Sequence, residues 1–236
     1  MKKILPILFI LCTKLCFGQL SPDQYFGDSY SEALAYIKKN KNTFQKIGKE
    51  YCIDPKMISA IVFPELIRYS RFRDFAETTA LELLYIKYGK SIADFSIGRF
   101  QIKPSFIEDL ENFSSTNYAL KEQLKSIVEY NTVDSTKTRK IRLERLKDEN
   151  WQFIYLSTFV TIAQRVYADH LTTEGTNNLL ILSSAYNRGL NATYEELCIL
   201  AKTKTFPYGN LPFGRYSYYD VANHYYTNYS HKIFGP

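Results

Sequence analysis

The stretch "CIDPKMISAIVFPELIRYS" (52–70) decides the fold class and carries the first candidate for chemistry. Asp54 before Pro55 is typical of a helix start, because Asp caps the free N–H groups and Pro fits the first helical position. Ile58 and Ile61 follow at helical spacing. The stretch therefore predicts a helix with an apolar face.

Glu65 falls on that face, four residues after Ile61 and seven after Ile58. A carboxyl group buried without a cationic partner has a raised pKa, and a protonated acid is what general-acid cleavage of a glycosidic bond requires. Pro64 opposes this interpretation, because proline removes a backbone hydrogen bond inside a helix. The alternative is that the helix ends at Phe63 and Glu65 faces water.

The rest of the chain is predicted to be mostly α. Strand-like alternation is confined to "FSIGRFQI" (95–102), which predicts one small β-hairpin. Residues 19–43 are polar and are interpreted as a lead-in with one short helix, followed by a single domain over 44–236. Helical periodicity occurs in segments 31–40, 77–89, 104–113, 119–130, 139–149, 151–171 and 177–187.

Residues 1–18 are interpreted as an export signal. Lys2 and Lys3 precede an apolar run, and Cys16-Phe17-Gly18 places small residues where cleavage would occur. The run is too short for a membrane span, which needs about 20 apolar residues. The expected product is an exported protein of the periplasm, or one secreted or held at the envelope, with no transmembrane span in the mature chain.

Composition excludes several classes of function. Removal of residues 1–18 takes three lysines and lowers the formal charge from +6 to +3, which gives no argument for nucleic-acid binding. The basic run 136–147 is interpreted as a solvated helix face, at most an accessory contact to an anionic polymer. No HExxH or Cys/His cluster is present, so no metal or cofactor is expected. Cys52 and Cys198 remain as one disulfide or two free thiols.

Two further motifs are candidates for a binding site. In "DFSIGRFQIKP" (94–104), Gly98 suggests a tight turn or a close approach of the backbone to a ligand. Gln101 offers the donor and the acceptor that sugar hydroxyl and acetamido groups need. In "SSAYNRG" (183–189), a Tyr-Asn pair ends an apolar helix. Taken singly, the two motifs fit a plain hairpin and a helix end.

Together and in this order, the three pieces resemble the lysozyme-like domain of the family-1 lytic transglycosylases (glycoside hydrolase family 23), relatives of goose-type lysozyme. In that family a Gly-[Ile/Val]-Asp-Pro helix leads to the catalytic Glu, as "CIDPKMISAIVFPE" leads to Glu65. The family's Gly-Leu-Met-Gln-[Ile/Val]-x-Pro motif is matched by residues 98–104, and its Ala-Tyr-Asn-x-Gly motif by residues 185–189. The resemblance covers roughly residues 44–230.

The resemblance implies a lysozyme-like fold with the hairpin beside the active-site cleft. It implies a peptidoglycan lytic transglycosylase that cleaves the bond between N-acetylmuramic acid and N-acetylglucosamine and leaves 1,6-anhydromuramic ends. Glu65 would be the single general acid/base, with no cofactor, and glycan strands would be the partner. The residues implied to bind substrate are Ser96, Gly98, Phe100, Gln101, Lys103, Tyr186, Asn187 and Tyr219, with Tyr218 as the alternative to Tyr219 beside the acid.

The chain departs from the family pattern in ways that leave two other functions open. Leu66 replaces the usual Ser after the acid, and an extra helix (75–91) precedes the second motif. A hydrolase of the lysozyme or chitinase type would need a second carboxylate, for which Asp94, Glu77 and Asp74 are candidates. An inactive peptidoglycan-binding module is the third hypothesis, which Leu66 favours.

Overall fold

The computed structural model describes residues 20–71, 78–116, 124–208 and 214–235. The predicted export signal (1–18), Asp74, Glu77 and parts of the predicted helices 75–91 and 119–130 lie outside these ranges. Of the described residues 74% are helical and none lies in a β-strand, so the mostly-α prediction is confirmed. Within the same ranges, no helix is both long and apolar enough to cross a membrane.

The described helices, in chain order, are α1 (Pro22–Phe26), α2 (Asp28–Lys39), α3 (Lys41–Tyr51), α4 (Pro55–Arg71), α5 (Thr78–Tyr88), α6 (Pro104–Thr116), α7 (Lys125–Val128), α8 (Ser135–Lys147), α9 (Glu149–Val166), α10 (Gly175–Arg188), α11 (Tyr194–Lys202), α12 (Tyr218–Tyr225) and α13 (His231–Phe234). A 3₁₀ turn (Ala168–His170) follows α9, and a π-helical turn (Tyr226–Ser230) joins α12 to α13.

Helix α4 lies at the centre of the molecule, where it packs against α2, α3, α10 and α12. Residues 57–67 are all buried, as expected of a helix that other helices surround. Phe63 stacks on Tyr225 of α12 with ring centroids 4.2 Å apart. Burial of each large apolar side chain contributes about 1.5–3 kcal/mol, so α4 contributes strongly to the stability of the core.

Pro64 does not end the helix, because α4 continues to Arg71. Proline removes one N–H donor and crowds the preceding turn. In that turn the Tyr218 hydroxyl of α12 donates a hydrogen bond to the Ile61 carbonyl at 2.9 Å. Packing from both sides holds the helix together through the proline, and Glu65 consequently stays on the buried face.

The segment predicted as a lead-in forms α1, α2 and the start of α3, and it shares the core of the domain. Tyr30 and Ile37 of α2 are almost fully buried, and α2 packs along α4. The segment looked polar because its apolar residues are spaced along one helix face between charged ones. It is therefore an integral layer of the fold.

The predicted β-hairpin is a turn closed by a single antiparallel bridge. Ile97 and Ile102 exchange backbone hydrogen bonds of 2.9 and 3.1 Å. The backbone of the described residues forms no strand on either side of this bridge, since residues 93–96 carry no ladder and α6 begins at Pro104. The alternation of apolar and polar residues in this stretch therefore corresponds to a tight turn whose two ends, Ile97 and Ile102, are buried.

The basic run in α8 is not simply a solvated face. Arg142 is buried, with its Nη2 atom 2.6 Å from Glu111 of α6 and its Nη1 atom 2.6 Å from the Tyr85 hydroxyl of α5. Arg139 and Arg145 donate to backbone carbonyl groups of neighbouring segments. Three arginines of the run therefore join α8 to its neighbours, which corrects the prediction from charge alone.

Both cysteines of the described residues are free thiols, which decides between the two alternatives left open by the sequence. Cys52 is exposed at the end of α3 and has a left-handed backbone conformation with φ 56°. Glycine adopts this conformation without a steric cost, so the family's glycine would suit the same position.

Candidate active site

Glu65 lies on the buried face of α4 and is only 4% exposed. Helical phase aligns it with Ile58 and Ile61, both fully buried, so the sequence-predicted orientation is the one observed. The carboxylate nevertheless reaches the wall of a cleft, which it lines together with residues from three other parts of the chain.

The carboxylate of Glu65 is paired with Arg68, one turn further along α4. The Arg68 Nη1 atom lies 2.8 Å from Oε1 and 2.9 Å from Oε2 of Glu65. The guanidinium group also lies over the ring of Phe206, 5.2 Å from its centroid. Glu65 therefore has a cationic partner, whereas the sequence-based interpretation considered a buried carboxyl group without one.

The pKa of Glu65 is raised above its usual value of 4.5, and burial is the cause. Three groups act in the opposite direction and favour the carboxylate: the Arg68 guanidinium, the Tyr218 hydroxyl and, through its charge, Lys103. Burial prevails over these because the carboxyl group is almost completely removed from water. At a given pH, Glu65 is therefore protonated to a larger extent than an exposed glutamate is.

Two buried tyrosines flank Glu65. Tyr218 lies beside the carboxyl group, and Tyr186 of α10 donates a hydrogen bond to the Phe100 carbonyl at 3.0 Å. Burial raises the pKa of both phenols, and the negative charge of Glu65 raises them further. Both hydroxyl groups therefore stay protonated and serve as hydrogen-bond donors.

The turn 97–102 is built on positive-φ residues and rests on Gln152 of α9. Gly98 has φ 70° and Gln101 has φ 51°. The Gln152 side chain accepts a hydrogen bond from the Phe100 N–H group at 3.0 Å and donates one to the Leu146 carbonyl at 2.8 Å. A Cβ atom on Gly98 would come within 2.6 Å of the Gln152 Cδ atom. Only glycine allows this approach without displacing Gln152.

The cleft has a volume of about 290 Å³ and is lined by all three sequence motifs. Its lining is Glu65, Arg68, Asp94, Ser96, Gln101, Ile102, Lys103, Ser105, Phe106, Asp109, Tyr186, Asn187, Arg188 and Gly189. The polar side chains come from separate elements, so the cleft offers hydrogen-bond donors and acceptors on several sides.

The structure brings together six of the nine predicted site residues. Those that line the cleft are Glu65, Ser96, Gln101, Lys103, Tyr186 and Asn187. Gly98 lies under the turn against Gln152, and Phe100 is fully buried. Tyr219 is half-buried and does not line the cleft, whereas its neighbour Tyr218 contacts the acid.

Sequence reasoning missed several polar residues of the cleft. Arg68 could have been found from its i,i+3 spacing to Glu65, which places the two side chains on one face of a helix. Asp109 and Arg188 carry no comparable signal. Leu66 is buried in the core and does not line the cleft.

Asp94 is the candidate second carboxylate that shares the cleft with Glu65. Its oxygens accept hydrogen bonds from the Ser105 N–H group at 3.0 Å and from the Ser105 hydroxyl at 2.8 Å, and Lys103 lies 3.8 Å away. Asp94 therefore holds the start of α6 while facing the cleft. No group of His, Cys, Asp and Glu residues suited to a metal ion occurs among the residues that the structure describes.

Comparison of the chain with protein-family models, with curated proteins and with solved structures finds no match. The functional interpretation consequently rests on the residues of the cleft.

Proposed function

We propose that this protein is a peptidoglycan lytic transglycosylase with a lysozyme-like fold and Glu65 as its single general acid/base. The observation that carries the proposal is a nearly buried carboxyl group with a raised pKa, in a cleft lined by all three motifs. Residues 1–18 support export to the periplasm as part of the same proposal.

Glu65 in its acid form would protonate the glycosidic oxygen while the C1–O4 bond breaks. The resulting carboxylate would then take the proton of the muramyl 6-hydroxyl group as O6 bonds to C1. The ring closes as a 1,6-anhydro sugar, water is not consumed, and Glu65 returns to its acid form. A single acid/base suffices for these two steps, because the nucleophile is the substrate's own 6-hydroxyl group.

The other cleft residues support binding and orientation of the sugar. Gln101 is held by a hydrogen bond from its Nε2 atom to the Gly98 carbonyl at 2.9 Å, which leaves its Oε1 atom as an acceptor. Ser96 and Asn187 add further polar groups on two sides of the cleft. Tyr186 fixes the turn through Phe100, so the position of Gln101 depends on α10.

Digestion of purified sacculi by wild type and Glu65→Gln tests the proposal, with the products analysed by mass spectrometry. We expect 1,6-anhydromuropeptides from the wild type and at least a 100-fold loss with Glu65→Gln, the usual contribution of a general acid. Glu195→Gln, an exposed carboxylate on another helix, is the matched control and should retain activity. Full anhydro product from Glu65→Gln would refute the assigned role.

A hydrolase is the second candidate function, and the presence of Asp94 in the cleft favours it. A carboxylate that activates water would yield reducing ends carrying the mass of one added water. Products of that mass, lost in Asp94→Asn, would replace the transglycosylase proposal with a lysozyme or chitinase.

The closed pair of Glu65 and Arg68 favours the third hypothesis, an inactive binding module, because it occupies both carboxylate oxygens. Such a module would sediment with sacculi without releasing soluble fragments, and Glu65→Gln would bind them equally well.

A further inference from the structure

Arg68 lies on the wall between the cleft and a second pocket. This second pocket, of about 380 Å³, is bounded by α11, by residues 203–207 and by Tyr218. Four residues line both cavities: Arg68, Lys103, Asn187 and Arg188. A ligand that fills the cleft can therefore extend into the second pocket past Arg68.

The second pocket is lined by cationic side chains. Its described lining includes Arg68, Lys103 and Arg188 and contains no carboxylate. In the adjoining cleft Arg68 is paired with Glu65 and Lys103 lies 3.8 Å from Asp94. Arginine and lysine side chains together form a site suited to a carboxylate. Neutral sugars carry no charge that would pair with these cations, whereas the acidic peptide attached to muramic acid carries carboxylate groups that can.

The geometry of Arg68 suits contact with two carboxylates at once. Its Nη1 atom binds both carboxylate oxygens of Glu65 and its Nε atom is buried, while 22% of the side-chain surface stays exposed. A guanidinium group presents donors on two edges, which a lysine ammonium group cannot do. Arg68 can therefore hold a substrate carboxylate from the second pocket while it faces Glu65.

We propose that the second pocket binds a carboxylate of the peptide stem and that Arg68 is a positioning residue that couples this binding to Glu65. The inference rests on the proposed function and deepens it by naming the substrate class: strands whose peptides carry free carboxylates. The free protein holds Glu65 paired with Arg68. A bound substrate carboxylate offsets the positive charge of Arg68, and Glu65 then takes up a proton and can act as the general acid.

The physical basis is the balance of charges around Glu65. The groups facing it are Arg68 on its own helix, Lys103 from the segment before α6, Tyr186 from α10 and Tyr218 from α12. Asp94 shares the cleft and lies 3.8 Å from Lys103, so it offsets part of that lysine's charge. Both tyrosines are neutral, so the two cations supply the positive charge. A substrate carboxylate between them cancels that charge, and the buried carboxyl group of Glu65 then favours its protonated form. Neutral chitin strands carry no carboxylate and would leave the ion pair between Glu65 and Arg68 intact.

A binding experiment tests the pocket independently of catalysis. Glu65→Gln protein is titrated calorimetrically with N-acetylmuramyl-L-alanyl-D-isoglutamine and with the same compound after amidation of its carboxyl group. We expect about tenfold tighter binding of the acid, as charge-assisted hydrogen bonds provide. Arg188→Gln should lose this preference, whereas Lys202→Gln, an exposed cation of α11 outside the pocket, should keep it. Equal affinity for both probes would overturn the proposal.

An activity experiment tests the coupling. Soluble peptide-bearing strands are compared before and after their carboxyl groups are amidated. With wild type we expect about a tenfold lower rate on amidated strands, and a basic limb of the pH profile that moves to lower pH. Arg68→Gln should cleave both substrates at similar rates with its basic limb at higher pH, and Arg68→Lys should retain part of the discrimination.

Discrimination by Arg68→Gln equal to that of the wild type would overturn the coupling. Thermal unfolding followed by circular dichroism verifies that each variant is folded, and Arg68→Lys replaces Arg68→Gln if the latter is not; full discrimination with a basic limb unchanged from wild type would then overturn the coupling. Wild type that cleaves no strand of either kind refutes the proposed function, while the calorimetric comparison still decides whether the second pocket takes a carboxylate.

Discussion

Replacement of Gly98 by alanine should destabilise the protein severely, although it adds one methyl group. The added Cβ atom would lie 2.6 Å from Cδ of Gln152, and Gln152 is only 2% exposed. Because the amide is enclosed, it cannot move away without breaking its hydrogen bonds to the Phe100 N–H group and the Leu146 carbonyl. The methyl group also makes the positive φ of residue 98 unfavourable.

The magnitude follows from these contacts. A left-handed conformation costs a non-glycine residue about 1–2 kcal/mol. Two buried hydrogen bonds left unmade cost about 1–3 kcal/mol each. The sum is about 3–8 kcal/mol, which approaches the whole stability of a typical domain at about 5–15 kcal/mol. The turn that carries Gln101 into the cleft would loosen at the same time, so we expect activity to fall with stability.

Denaturant unfolding followed by the fluorescence of Trp151 measures the effect, in a double-mutant cycle with Gln152→Ala. The single variant Gln152→Ala loses the same two hydrogen bonds and vacates the space of the amide. Adding Gly98→Ala to it should therefore cost only the conformational part, about 1–2 kcal/mol. If the two changes were additive to within about 0.5 kcal/mol, the methyl group and the amide would not compete for space, and the reasoning would be refuted.

Three further predictions concern other parts of the molecule. Cys52→Gly should raise the free energy of unfolding by about 0.5–1 kcal/mol, because glycine relieves the left-handed conformation at the end of α3; an unchanged denaturation midpoint would contradict this. Arg142→Met should lower it by about 3–5 kcal/mol, since Glu111 keeps a partly buried charge without its partner. The exposed Lys140→Met is its control and should change stability by less than about 0.5 kcal/mol. For pH, the raised pKa of Glu65 means that the folded state favours the acid form, so its stabilising contribution is complete below pH 4.5 and is lost as the pH rises through the folded pKa. Glutamine does not titrate, so unfolding measured from pH 4 to 8 should show Glu65→Gln gaining stability relative to wild type, and parallel curves would rule out a raised pKa.

Much of the fold could be predicted from local sequence. Asp54 accepts a hydrogen bond from the Lys56 N–H group at 2.8 Å, as its position before Pro55 predicted. The apolar phase of 58–65 correctly oriented Glu65 toward the interior. These features are local, because a cap or a helical face depends on residues within one or two turns.

Other features of the site depend on which elements pack together. Pro64 suggested a helix end, and only the packing of α12 with Tyr218 shows how the helix continues. The density of charges predicted a solvated face for the basic run in α8, yet Arg142 forms an ion pair with Glu111 of α6. Two adjacent tyrosines looked equivalent in the sequence, but the rotation of α12 turns Tyr218 toward the acid and leaves Tyr219 half-buried elsewhere.

The sequence by itself determined that the chain is helical, that Glu65 faces inward and that three motifs are candidates for one site. The tertiary structure alone decided that the motifs line a common cleft, that burial outweighs Arg68 in raising the pKa of Glu65, and that a second, cationic pocket adjoins it. The reason is physical: helical periodicity is a property of neighbouring residues, whereas the desolvation of Glu65 depends on atoms brought together from segments more than a hundred residues apart.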